Sequence, residues 1–145
     1  MIERFHRLSN APEEVQLAAV NKSGFAIKHI QNPSETIKLA AVKQHGFAIE
    51  FIKNPSEEVQ LESVKQNALA IHYIHSPSEA VQLAAVKQKS YVIQFLSKPS
   101  EEVQLAAVKQ TGSAIKYIKN PSKAVQLEAV KKYESVAKYI TNGAM

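Results

Sequence analysis

Apolar positions recur along the chain with a period of 22 residues. Val15, Ile37, Val59, Val81, Val103 and Val125 fall 22 apart, as do Leu17, Leu39, Leu61, Leu83, Leu105 and Leu127. Six copies without a register slip mark a solenoid, in which each unit buries its apolar face only against its neighbours. Such an array offers an extended binding surface rather than a catalytic pocket.

Residues 32–54, NPSETIKLAAVKQHGFAIEFIKN, stand for one unit. Asn32 suits a helix N-cap, Pro33 the first helical position and Glu35 the N3 place of a capping box. The first helix then runs to about Gln44, with Lys43 near its end and Gly46 available for a left-handed C-cap. Phe47 opens a second, shorter helix ending near Lys53. On the first helix, Ile37, Ala40 and Ala41 share one side, while Leu39 and Val42 lie nearly opposite. That predicts a helix sandwiched between its own partner and the adjacent repeats. Small pairs such as Ala18-Ala19, Ala84-Ala85 and Ala106-Ala107 allow close approach. Helices this short are marginal alone, so stacking must stabilise them.

The expectation is an all-α fold: a right-handed α-solenoid of about six and a half helix-turn-helix repeats forming a single domain over 1–145. Residues 1–10 form an N-terminal half-repeat cap, with Phe5 and Leu8 in the apolar columns. The repeats follow over 11–32, 33–54, 55–76, 77–98 and 99–120, and 121–145 holds the last repeat and a C-terminal cap. There Lys132-Tyr133-Glu134 replaces the glycine turn and Ala137 stands where other units have Ile. Atypical, polar terminal units are what caps look like, so the chain reads as a whole protein.

Composition narrows the chemistry. There is no cysteine, hence no disulfide, thiolate metal site or cysteine nucleophile. All 13 acids are Glu, and an Asp-free chain fits poorly with a Mg²⁺-dependent phosphoryl-transfer or nuclease site. The formal net charge is +5. No run approaches the 18 apolar residues of a membrane span and the N-terminus has no signal-like apolar stretch. A protein cytoplasmic to the producing or infected cell is expected, with no membrane partner.

Units such as NPSEEVQLESVKQNALAIHYI (Asn54–Ile74), Ala41-Val42-Lys43-Gln44-His45-Gly46-Phe47-Ala48-Ile49 and Ala107-Val108-Lys109-Gln110-Thr111-Gly112-Ser113-Ala114-Ile115 carry a resemblance over residues 11–141. The chain resembles a family of short helical-hairpin repeats of unknown function found in bacterial, phage or mobile-element and giant-virus proteins. The resembling positions are packing and turn positions, so the resemblance implies an α-solenoid and no active site.

Sorting residues by column locates the variable surface. In the second helix, Ala48, Ile49 and Ile52 face the core. The opposite stripe contains one column reading His29, Phe51, Tyr73, Phe95, Tyr117, Tyr139 and another reading Phe25, Phe47, Leu69, Tyr91, Ser113, Ser135. Between them runs Lys28, Glu50, His72, Gln94, Lys116, Lys138. Aromatics dominate interface hot spots, so a ladder of them spaced about 9 Å apart suits a protein partner. The competing reading is that the aromatics pack between successive second helices. The freely varying middle column is harder to explain by packing and points to recognition.

A second feature is the lysine row Lys43, Lys65, Lys87, Lys109 and Lys131, with Lys22, Lys89 and Lys132 close by. It suits a phosphate backbone read by charge, while cations at helix C-termini also complement the helix dipole. The column Gln16, Lys38, Gln60, Gln82, Gln104, Gln126 suits solvated contacts between repeats. His72 and His75 lack a third ligand at supporting spacing, so no metal is expected. Ser34, Ser56, Ser78, Ser100 and Ser122 read as capping residues. No phosphate loop or nucleophile elbow occurs.

The sequence thus reads as a non-catalytic protein-binding module without cofactor or small-molecule substrate, acting by occlusion or bridging, monomeric unless an uncapped end self-associates. Where the resembling repeats occur extends this, by analogy, to a phage or mobile-element inhibitor of a host protein such as a defence nuclease. The alternative is a nucleic-acid binder using the lysine edge.

Overall fold

The structure, a computed structural model, describes residues 7–132. Six ten-residue α-helices lie there: α1 (Glu13–Lys22), α2 (Glu35–Gln44), α3 (Glu57–Gln66), α4 (Glu79–Gln88), α5 (Glu101–Gln110) and α6 (Lys123–Lys132). A six-residue 3₁₀ helix follows each of the first five: Gly24–His29, Gly46–Phe51, Ala68–Tyr73, Ser90–Phe95 and Gly112–Tyr117. No strand occurs among the described residues. Packing divides the chain into two compact units, Met1–Pro77 and Ser78–Met145. In the first, α1, α2 and α3 pack side by side in chain order, and their 3₁₀ helices form a second layer against them. In the second, α4, α5 and α6 do the same. Each unit is an all-α helical-repeat stack of solenoid type.

The second helix of the five repeats in which it is described is therefore 3₁₀ rather than α, and in the unit taken above it spans Gly46–Phe51 rather than Phe47 to Lys53. Extended residues bracket it, His45 at φ −152° and Ile52 at φ −106°. Only six residues lie between, too few for an α-helix to satisfy many of its own amides. Three-residue hydrogen bonds close sooner: Ala48 N–H donates to His45 O at 2.9 Å and Ile52 N–H to Ile49 O at 3.0 Å.

Helix starts also differ from the expectation. Asn32 does not cap α2. It sits at φ 52°, as do Asn54 at 48°, Ser76 at 52° and Asn120 at 51°, and turns the chain through the left-handed region that Asn tolerates. Ser34 is the N-cap, its Oγ accepting from Ile37 N–H at 3.3 Å, and Ser56, Ser78, Ser100 and Ser122 repeat this bond. Glu35 is the first helical residue and closes no capping box. Its carboxylate instead accepts from Ser56 Oγ one repeat on, as Glu13 does from Ser34 and Glu101 from Ser122. One serine thus caps its own helix and ties it to the preceding repeat.

Gly46 is not a left-handed cap, because no glycine among the described residues has positive φ. It is needed for space. A Cβ at Gly46 would lie 2.7 Å from Ser63 O and 2.8 Å from Gln66 Oε1; at Gly24 it would lie 2.5 Å from Ala41 O. Through that closeness each glycine amide meets a glutamine of the next repeat: Gly24 N–H donates to Gln44 Oε1 and Gly46 N–H to Gln66 Oε1, both at 2.6 Å. Where the column holds Ser90, Gln110 donates instead to Gln88 O at 3.3 Å.

In each unit the core is a layer of side chains between the α-helices and the 3₁₀ helices. Ile37, Ala41 and Val42 of α2, with Ala48, Ile49 and Ile52, are buried. Leu39 and Ala40 are only half-buried and face away from the 3₁₀ layer. α2 thus contacts its own 3₁₀ partner and both adjacent repeats, as expected, while the flank bearing Leu39 and Ala40 stays part-open because the short second layer covers one side of the α-helices alone. Ser63 takes a buried alanine column and satisfies its hydroxyl by donating to Gly46 O at 2.8 Å. Of the expected caps, residues 7–9 are helical, while Phe5, Tyr133, Glu134 and Ala137 lie outside the described residues.

Candidate functional site

Three residues per turn give the 3₁₀ helices three edges. Gly24, Ile27 and Ile30 form the buried edge, and the same columns are buried in the following described repeats except at Leu96, which is half-buried. Phe25 and Lys28 share a second edge, Ala26 and His29 the third. The aromatic columns therefore lie on adjacent edges, not on one α-helical stripe. Lys28, Glu50, His72, Gln94 and Lys116 are all exposed. Phe51, Tyr73, Tyr91, Phe95 and Tyr117 are 36 to 46% exposed, while Phe25, Phe47 and His29 are half-buried.

In the first unit these rings touch across repeats. Phe25 meets Phe51 edge-on with centroids 6.0 Å apart, and Phe47 meets Tyr73 in the same way at 5.6 Å. His45 lies between, 4.4 Å from Phe25 and 5.6 Å from Phe47. The column of Phe51 and Tyr73 is thus both a contact between repeats and a surface: one edge packs against the preceding ring and the rest is open to solvent. Edge-to-face pairs of this kind contribute about 0.5–1.5 kcal/mol beyond burial. Lys28 Nζ stands 5.8 Å from the Phe51 centroid and Lys116 Nζ 5.2 Å from that of Tyr117. Burial, with Lys28 beside it, holds the His29 imidazole below its ordinary pKa.

The lysine row occupies the last turns of the α-helices. Lys43, Lys65, Lys87, Lys89, Lys109, Lys131 and Lys132 are all exposed. Lys65 lies 3.7 Å from Glu62 and Lys131 3.5 Å from Glu128, exposed i,i+3 pairs of small energetic weight. Beside the row run grooves between neighbouring α-helices that the periodicity did not reveal. One of about 470 Å³ is lined by Leu17, Leu39, Ala40 and Lys43, and one of about 610 Å³ by Leu83, Leu105, Ala106, Lys87, Lys109 and Glu102. Glu102 shares a hydrogen bond with Glu79, and that bond and the neighbouring carboxylate raise its pKa.

Within the glutamine column, Gln16 reaches back to the preceding unit, its Nε2 donating to Leu8 O and Ser9 O at 3.1 Å, whereas Gln60, Gln104 and Gln126 bond inside their own repeats. Gln60, Gln104 and Gln126 each donate from Nε2 to the proline carbonyl five residues earlier, at Pro55, Pro99 and Pro121, all at 3.0 Å. Further inter-repeat amide bonds come from Gln44, Gln66 and Gln110, which the sequence did not single out. Among the described residues no group of three or more His, Cys, Asp or Glu side chains gathers, and no helix is long and apolar enough to cross a membrane. Comparison of the chain with family models, curated proteins and solved structures gives no match.

Proposed function

We propose that the protein is a non-catalytic binding module that engages another protein through the aromatic edges of its 3₁₀ layer. The observation that carries this reading is the row of part-exposed rings flanking exposed residues that change identity at every repeat. Phe51 and Tyr73 sit beside Lys28, Glu50 and His72; Phe95 and Tyr117 sit beside Gln94 and Lys116. Ring contacts across repeats hold the first pair in place, which lowers the ordering cost of binding. Burial of the open ring faces supplies affinity, and the variable column supplies selectivity. Binding of this kind acts by occluding or bridging the partner. The resemblance to repeats of phage and mobile-element proteins extends the reading to inhibition of a host defence protein, by analogy alone.

The lysine row supports nucleic-acid binding as a second reading, since Lys43 in the first unit, and Lys87 and Lys109 one repeat apart in the second, are exposed. Affinity capture from the source cells, followed by mass spectrometry, separates the two. Phe51→Ala with Tyr73→Ala should abolish capture of the partner, and charge reversal at Lys65, Lys87 and Lys109 should spare it. Capture that survives the ring changes, or that collapses steeply with added salt and with lysine reversal, favours nucleic acid instead.

A further inference from the structure

A cleft of about 420 Å³ opens in the first unit beside Phe51. Its walls are Phe51, Ile30, Ile52 and three lysines, Lys28, Lys38 and Lys53. No carboxylate lines it, and among the described residues none of the three ammonium groups makes an ion pair. Lys38 departs from its column. Where Gln60, Gln104 and Gln126 fasten the loop to the proline carbonyl of their own repeats, this repeat gives that bond up for a cation. A residue that breaks the internal pattern of its own repeat without a compensating contact serves something other than folding. The charge is also local, since the same three columns one repeat on carry Glu50, Gln60 and His75.

We propose that this cleft takes an acidic segment of a partner protein, with carboxylates on Lys28, Lys38 and Lys53 and an apolar side chain over Phe51. The inference rests on the protein-binding reading and names its partner's chemistry. A discrete basic cleft with an apolar floor fits a short run of Glu or Asp around one apolar residue. A polyanion such as DNA or RNA needs a continuing track, and Glu50 interrupts this one.

The test uses fluorescence anisotropy on the full chain with labelled, acetylated Glu-Glu-Leu-Glu-Glu amide, its all-Gln counterpart and an oligothymidylate. Wild type should bind the acidic peptide more tightly than the neutral one. Lys38→Gln should weaken that binding about ten-fold, the loss of one charge-assisted contact. Lys53→Gln should act likewise, and Lys43→Gln on the far edge should not. Lys38→Gln should melt no lower than wild type because it restores the glutamine found in the other repeats, so lost binding cannot be put down to misfolding. Unchanged peptide affinity in Lys38→Gln, no acidic-peptide binding at millimolar concentration, or tighter binding of the oligothymidylate at the same lysines would each overturn the proposal. If only the cleft assignment is wrong, Phe51→Ala with Tyr73→Ala still abolishes partner capture; if the ring-based reading is wrong, that capture persists.

Discussion

Replacing Gly46 by alanine probes the contact that joins one repeat to the next. The new Cβ would stand 2.7 Å from Ser63 O, a backbone atom of α3 that cannot move without moving the helix. It would also stand 2.8 Å from Gln66 Oε1, the acceptor of the Gly46 amide. Overpacking a tight site costs about 1–3 kcal/mol, and a buried amide left without its acceptor about 1–3 kcal/mol. Reduced freedom of the unfolded chain returns about 0.4–1 kcal/mol. The expected destabilisation is therefore about 1–6 kcal/mol, read as a lowered midpoint in urea denaturation followed by circular dichroism. Gly46→Asn serves as the control. At a left-handed cap Asn would be tolerated better than Ala, whereas in a site limited by space it fares no better. Gln66→Ala combined with Gly46→Ala should cost less than the two changes summed, because both remove one contact. An Ala variant within about 0.5 kcal/mol of wild type, near the scatter of ordinary surface changes, or clear rescue by Asn, would refute the close-approach reasoning.

Other perturbations follow from the same geometry. Ser56→Ala removes the cap on Val59 N–H and the tie to Glu35, and should cost about 0.5–2 kcal/mol by the same denaturation assay. Ser76→Asn places at φ 52° the residue that the other left-handed corners use, and should raise stability by a few tenths to about 1 kcal/mol. Phe51→Ala should leave a folded chain with a loss of about 1–2 kcal/mol, because the ring is part-exposed and its main partner is Phe25; a near-ultraviolet and thermal comparison checks this. The pKa of Glu102 is raised in the fold, so its proton contributes stability at acidic pH that is lost as pH rises from the ordinary carboxylate value through the raised one. Glu102→Gln keeps a donor toward Glu79 at every pH, so its stability relative to wild type should grow across that window, and a pH-independent difference would contradict the shared hydrogen bond.

The parts of this fold that depend on one helix were legible in the sequence. Ile37, Ala41 and the run to Gln44 announce α2, and Ala48, Ile49 and Ile52 announce the buried side of its partner segment. The 3₁₀ form of that segment was not legible, since six residues satisfy a period of 3.0 and one of 3.6 almost equally. Contacts reaching across repeats were also hidden. Nothing local to Gly46 indicates that the Ser63 carbonyl crowds it, and Gln44 meets the Gly24 amide 20 residues away. Asn32 reads as a cap in the sequence although it turns a left-handed corner, because the two positions favour the same side chain. The aromatic columns were visible, but their place on adjacent edges, packed on one flank and open on the other, depends on the 3₁₀ turn. Lys38 stood out only as a break in a glutamine column whose purpose the Pro55 and Pro99 carbonyls reveal.

Amide hydrogen exchange on the captured complex tests the binding face most directly. Engagement through the 3₁₀ layer predicts slowed exchange over residues 47–51 and 69–73 when the partner is bound, with the ends of the α-helices near Lys43 and Lys65 unchanged. Protection confined to those lysine-bearing helix ends, with 47–51 and 69–73 exchanging as in the free protein, would contradict it.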